Sequence, residues 1–142
     1  MVNIIMEPNT NKNYEKIPQH VEDAARYAVD AAYHVQRKMG QGLPERSYEK
    51  FMEYELRKRG CNVKRQVKFP ITYDGIVFDD EYFIVDILVD DCLILELKAV
   101  ENIITLHKYQ LLTYLKHTGI RLGLLINFNS ANMREGISRI IN

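Results

Sequence analysis

Helical spacing of apolar residues governs the first part of this chain, and runs of strand-forming residues take over past residue 60. Between residues 21 and 39, Val21, Ala24, Ala25, Ala28, Ala32, Val35 and Met39 fall on one stripe. Pro18 precedes that stripe and Gly40 and Gly42 follow it, which predicts a helix between them. A second helix is expected over residues 44–59, with Tyr48, Phe51, Met52 and Leu56 as its apolar face. Pro44 suits its first turn and Gly60 its C-terminal end. Strands are expected over 63–73, 76–78, 82–89 and 93–100. Asp74-Gly75 is a strong hairpin turn, Asp79-Asp80-Glu81 a polar turn, and Asp90-Asp91-Cys92 the last strand joint. A helix over 102–118 carries Ile104, Leu111 and Leu115 on one side and closes at Gly119. An apolar strand follows over 122–128, and 132–141 reads as either helix or strand.

This order predicts an α/β fold, with helices flanking a mixed central sheet. The strand at 122–128 follows a helical crossover, so it should run parallel to the strand before that helix. Residues 1–17, rich in Asn, Lys and Glu, are expected to form a flexible N-terminal arm, and 18–142 a single domain. A chain of 142 residues, 46% hydrophobic and 27% charged, can fill one core and excludes a disordered or collagen-like protein. Cys61 and Cys92 lack metal-type spacing and are expected as buried reduced thiols. No segment has the length of apolar sequence that a membrane helix needs, and the N-terminus lacks signal-peptide character, so a cytoplasmic location is expected.

Ionisable side chains interrupt two of the apolar strands. Asp86 lies within Tyr-Phe-Ile-Val-Asp-Ile-Leu-Val, and Glu96 and Lys98 lie within Leu-Ile-Leu-Glu-Leu-Lys-Ala-Val. Such groups are costly in an apolar strand unless paired or bound to a cation. Glu96 and Lys98 share a face by alternation. Asp86 joins them only if the loop between the strands holds three residues or a bulge, because one residue of register flips every side chain. With that register, two carboxylates on adjacent strands make an oxygen-rich site for Mg²⁺ or Mn²⁺, with the Leu97 carbonyl as a further ligand. Lys98 would then orient water or neutralise phosphorane charge. A cross-strand ion pair at a half-exposed sheet face is the competing account of the same residues. Glu45 sits on the face of Tyr48 and Met52 and is aimed inward, or else only complements the helix dipole. His107, Gln110 and Tyr114 line one side of the third helix, where they would touch a substrate or form a solvated edge.

Gly42-x-x-Glu45-x-x-Tyr48 resembles the signature of the GxxExxY proteins, a branch of the PD-(D/E)xK nuclease-like superfamily. The likeness runs from about Ala24 to Ile141 and includes 54–60 (Tyr-Glu-Leu-Arg-Lys-Arg-Gly), Asp86, 96–101 (Glu-Leu-Lys-Ala-Val-Glu), His107-x-x-Gln110 with Tyr114, and 123–128. The resemblance implies a restriction-endonuclease-like αβββαβ core and a Mg²⁺-dependent phosphodiesterase site. In that site Asp86 and Glu96 are metal ligands, Lys98 is the catalytic lysine, Glu45 adds an acid and Gln110 supports from the later helix. Three positions depart from the pattern, the mildest being Pro44, which replaces an apolar residue inside the glycine motif and fits a helix start. Gln36 stands where relatives carry His, and Ile84 where many carry Arg two residues before the ligand Asp.

Lys plus Arg equals Asp plus Glu at 19 each, so no global field draws the chain to nucleic acid. The charges are segregated along the sequence, however. Arg57, Lys58, Arg59, Lys64, Arg65 and Lys68 form a block without acids, residues 74–101 are acidic, and the chain turns basic again afterwards. A basic rim beside an acidic metal site suits a phosphodiester groove, with His107 at its edge. The expected function is a metal-dependent nuclease acting weakly on DNA, or on RNA, and able to work as a homodimer. The alternatives are a non-catalytic nucleic-acid- or protein-binding module and a hydrolase of small phosphate esters.

Overall fold

The computed structural model of the chain describes residues 2–5, as backbone, and residues 16–142. Strand β1 spans Val2–Ile5, helix α1 Gln19–Met39, α2 Glu45–Lys58, and strands β2, β3 and β4 Val63–Tyr73, Ile76–Val89 and Leu93–Lys98. Helix α3 (Thr105–Thr118) crosses to β5 (Leu122–Asn127), and a single turn, α4 (Met133–Gly136), leads into β6 (Ile137–Ile141). The sheet order is β1-β6-β5-β4-β3-β2, with β4 and β5 parallel as the crossover rule requires. The segment from α2 to β5 is the expected αβββαβ core, to which α1, β6 and β1 are added.

Two apolar layers enclose the sheet. On one side α1 and α2 bury Val21, Ala24, Ala28, Ala32, Met52 and Leu56 against Leu93, Leu95, Leu97 and Leu124. The alanine stripe of α1 lets the helix approach closely. On the other side α3 buries Leu111, Leu112 and Leu115 against Val85, Ile94 and Leu125. Two residues assigned to helix stripes lie outside these layers: Met39 is exposed at the end of α1, and Ile104 is exposed just ahead of α3.

Three boundaries differ from the sequence reading, each for a local reason. Ile76–Phe78 and Tyr82–Val89 form one strand, because Asp79–Asp80–Glu81 is extruded as a bulge. Pro70 pairs with Tyr82 while Ile71 pairs with Phe78. Residues 132–141 hold both elements left open, a helical turn capped by Asn132 and then a strand. Within the N-terminal arm, Val2–Ile5 pair in parallel with β6 and Ile17 is buried in the core, while residues 6–15 lie outside the described residues. The Asp74-Gly75 turn is as expected, with both residues at positive φ between the paired Tyr73 and Ile76.

The loop before α2 is fastened from several directions. Tyr48 donates its hydroxyl to the Gly40 carbonyl at 2.7 Å and accepts from the Leu43 N–H at 3.2 Å. Its ring stacks on Phe128 at 4.5 Å. Gly42, at φ 98°, occupies backbone space open mainly to glycine and donates to Asn129. Gln36, at a departure from the family pattern, donates to the Ser130 carbonyl at 2.8 Å. The first and last positions of Gly42-x-x-Glu45-x-x-Tyr48 thus fix the loop that starts the Glu45 helix. Tyr48→Phe keeps the stack and strands two polar groups, so it should lower stability by about 1–3 kcal/mol, read by denaturant unfolding. An unchanged midpoint would show that the hydroxyl does not hold the loop.

Candidate active site

The β3–β4 loop decides the register of the carboxylates. Val89 pairs with Leu93, and Asp90, Asp91 and Cys92 lie between them. Asp90 and Asp91 both have positive φ, and the Cys92 N–H donates to the Val89 carbonyl at 3.0 Å. Aspartate tolerates this backbone better than most residues. The loop has the three residues that the site requires. Pairs Val89–Leu93, Leu88–Ile94 and Ile87–Leu95 bring Asp86 opposite Glu96.

At that point side chains replace the backbone ladder. The Asp86 N–H donates to Glu96 Oε1 at 3.1 Å, and the Leu97 N–H donates to Asp86 Oδ2 at 2.9 Å. Glu96 is only 7% exposed. Burial, and then the neighbouring Asp86 charge, push its carboxyl up to about 9. Burial also raises Asp86, against the Leu97 N–H and the positive charge of Lys98. Two carboxylates this close and this poorly solvated hold on to a proton.

Helix α2 adds acids from the other side. Burial, chiefly, and the Asp86 charge raise Glu45, while Lys98 opposes them. Glu49, one turn later, is buried and accepts from Gln66 Nε2 at 3.1 and 2.9 Å. Helix α3 contributes Tyr114, whose hydroxyl is raised by burial and by Glu96 and Asp86, and whose ring stacks on Phe83 at 4.5 Å. Asp86, Glu96, Lys98 and Glu45 therefore form one electrostatic group.

Other expected site residues lie elsewhere or are otherwise engaged. Gln110 is exposed on α3 and makes no hydrogen bond to the carboxylates. His107 accepts the Ile104 N–H at its Nδ1, 3.2 Å away, and so caps α3. Burial and the charge of Lys98 lower its pKa. The basic block is largely paired with acids, some one turn back on α2 and others brought in from α1 and the β3–β4 loop. Arg59 pairs with Glu55 at 2.6 Å and Asp30 at 2.9 Å, Lys64 with Asp91 at 2.8 Å, Arg57 with Glu53 at 3.5 Å, and Arg65 with Glu53 at 3.2 Å. Lys68 lies over the Tyr82 ring at 4.8 Å, and Lys58 is exposed. The uninterrupted run of cations in the sequence is thus mostly compensated in the fold.

The sequence reading passed over Glu49 and Gln66. Glu49 was within reach, since it stands four residues after Glu45 on the same helical face. Gln66 was not. Counted back from the Asp74-Gly75 turn, Gln66 would face Phe83, and only the three-residue bulge at 79–81 moves it opposite Asp86.

A family model, that of the PD-(D/E)XK nuclease superfamily, matches residues 22–140. The chain belongs to this superfamily, and the order of its GxxExxY-like motifs is consistent with that placement. No curated protein and no solved structure matches it. No helix among the described residues is long and apolar enough to cross a membrane.

The raised Glu96 carboxyl has a measurable consequence. The folded state keeps a proton that the unfolded state gives up near 4.5, so the associated stability is present below that pH and is lost as pH rises towards about 9. In metal-free buffer, unfolding midpoints of the wild type should decline over this window more steeply than those of Glu96→Gln. Parallel pH profiles for the two proteins would contradict the burial of this charge.

Proposed function

We propose that the chain is a Mg²⁺- or Mn²⁺-dependent nuclease that hydrolyses phosphodiester bonds in DNA, or in RNA. The observation that carries this reading is the pairing of Asp86 with Glu96 beside Lys98, in a chain of the PD-(D/E)XK nuclease superfamily. No group of three or more His, Cys, Asp or Glu side chains poised for a metal occurs among the described residues, so the site rests on two carboxylates with backbone and water to complete it. The donor chemistry fits. Both are hard oxygen ligands, and a divalent cation would offset the burial and the Asp86 charge that raise the Glu96 carboxyl. When bound, the ion would supply Lewis acidity to the phosphodiester and lower the pKa of water.

The residues of the chain have distinct parts in this reading. Asp86 and Glu96 would hold the ion, their carboxylates fixed by the Leu97 and Asp86 N–H groups. Lys98, two residues from Glu96, would place positive charge where the phosphorane becomes more negative. Glu45 would hold a water or proton on the α2 side. Tyr114 offers a hydroxyl from α3 to a phosphate oxygen, which makes it a better candidate for the supporting role first given to Gln110. Lys58 and Lys68 would contribute to a weak, salt-sensitive hold on the nucleic-acid backbone.

A non-catalytic binding module on the same fold is favoured by one observation, the ion pairing of Arg57, Arg59, Lys64 and Arg65, which takes most of this basic block out of unassisted substrate capture. Activity distinguishes the two readings. Purified protein should cut single- or double-stranded DNA with Mg²⁺ or Mn²⁺ and not with EDTA. Lys98→Ala should lose at least about 100-fold in rate, in line with loss of one electrostatic donor, while its circular dichroism is unchanged. Metal-independent cutting, or full activity in Lys98→Ala, would overturn the nuclease reading.

A further inference from the structure

Gln66 has an unusual backbone for a residue inside a strand. Its φ is 53°, in the left-handed region, whereas the other non-glycine residues described there (Asp74, Asp90 and Asp91) occupy tight turns. A left-handed conformation in mid-strand is strained for a side chain without a local hydrogen bond to favour it, and it persists only where the surroundings enforce it.

The sheet changes faces at this residue. Val63 packs in the α1–α2 layer, and Arg65 reaches α2, yet Val67, Phe69 and Ile71 pack in the α3 layer. The partner strand does the same. Val85 and Phe83 lie in the α3 layer, and Ile87 and Val89 in the α1–α2 layer. Undisturbed alternation would keep Val85 and Ile87 on one face. The ladder pairs Arg65 with Ile87 and Val67 with Val85, so the switch falls at Gln66 and Asp86 on both strands.

The Gln66 side chain spans that switch. Its Nε2 donates to both carboxylate oxygens of Glu49 on α2, and the ladder sets Gln66 opposite Asp86, between the pairs Arg65–Ile87 and Val67–Val85. We propose that Gln66 is a positioning residue of the site: its left-handed backbone, at the point where the sheet changes faces, turns Asp86 towards α2, and its carboxamide, held by Glu49, supports that aspartate from across the ladder. Glu49, held through both oxygens and paired with Arg65 at 3.5 Å, then acts as an anchor and not as a ligand. Ligating carboxylates are commonly fixed by such hydrogen-bonded partners, and their loss weakens metal affinity about 10–100-fold.

This inference rests on the metal site proposed above, and the experiment separates the two. Mn²⁺ is titrated calorimetrically into wild type, Asp86→Ala and Gln66→Gly. Glycine takes φ 53° without strain, so Gln66→Gly removes the carboxamide while sparing the backbone, and an unchanged circular dichroism spectrum checks that the fold is kept. The expected result is Mn²⁺ binding by wild type, none by Asp86→Ala, and about 10–100-fold weaker binding by Gln66→Gly. Cleavage by Gln66→Gly should recover at higher Mn²⁺, a response that a purely structural role would not give. Wild-type affinity in Gln66→Gly overturns the positioning role and leaves the metal site standing. A wild type that binds no Mn²⁺ overturns both.

Discussion

Two carboxylates, Asp86 and Glu96, face each other across adjacent strands, and the cost of taking them out of water together is the constraint around which the neighbouring structure is organised. Hydrophobic burial alone would never put them there. They are held by the rigid strands below them, where Ile87, Leu88 and Val89 pair with Leu95, Ile94 and Leu93 in the middle of two apolar layers. Backbone N–H groups of residues 86 and 97 partly offset the cost, and Lys98 adds a smaller share. The remainder is left as an electrostatic deficit that a divalent cation would fill. Stability given up at the site is supplied by the core.

Much of this was readable in the sequence, because it depends on local rules. The three-residue loop follows from one requirement, that Asp86 and Glu96 face each other, and Asp90-Asp91 provides the backbone for it. The parallel β4–β5 pair follows from the α3 crossover, and the Glu45 helix from Gly42, Pro44 and Tyr48. What stayed hidden depends on the number of residues in irregular features. The bulge at 79–81 reads in the sequence as a turn, and that difference shifts every partner of β2 from Val63 to Pro70. Gln66 therefore had no visible connection to Asp86. Similarly, Tyr114 and Gln110 are equally polar on paper, and only the pitch of α3 against the sheet brings one towards the carboxylates and leaves the other in solvent.

The segregation of charge along the chain has a different meaning once it is folded. Acids from α1, α2 and the β3–β4 loop meet the cations of residues 57–65, so linear blocks become local pairs. Many of these pairs are partly exposed and add little stability singly. Their effect is on the surface field, which they flatten. A protein with such a surface would find nucleic acid slowly by itself. Turnover would then depend on how the substrate is delivered, more than on attraction over a distance.

The bulged hairpin has a bearing on how chains meet one another. Strand β2 is an edge of the sheet, and beyond residue 70 its hairpin exposes Tyr73, Ile76, Val77 and Phe78. A long apolar edge of this kind is a template on which a foreign strand can stack. Here the edge is interrupted. Pro70 has no amide hydrogen to offer, the register jumps at the next residue, and the segment extruded from the neighbouring β3 carries three acids. An incoming strand would lose its pairing partway along and face negative charge. The irregularity that aligns Gln66 with Asp86 thus also guards the edge of the sheet against fibrillar growth.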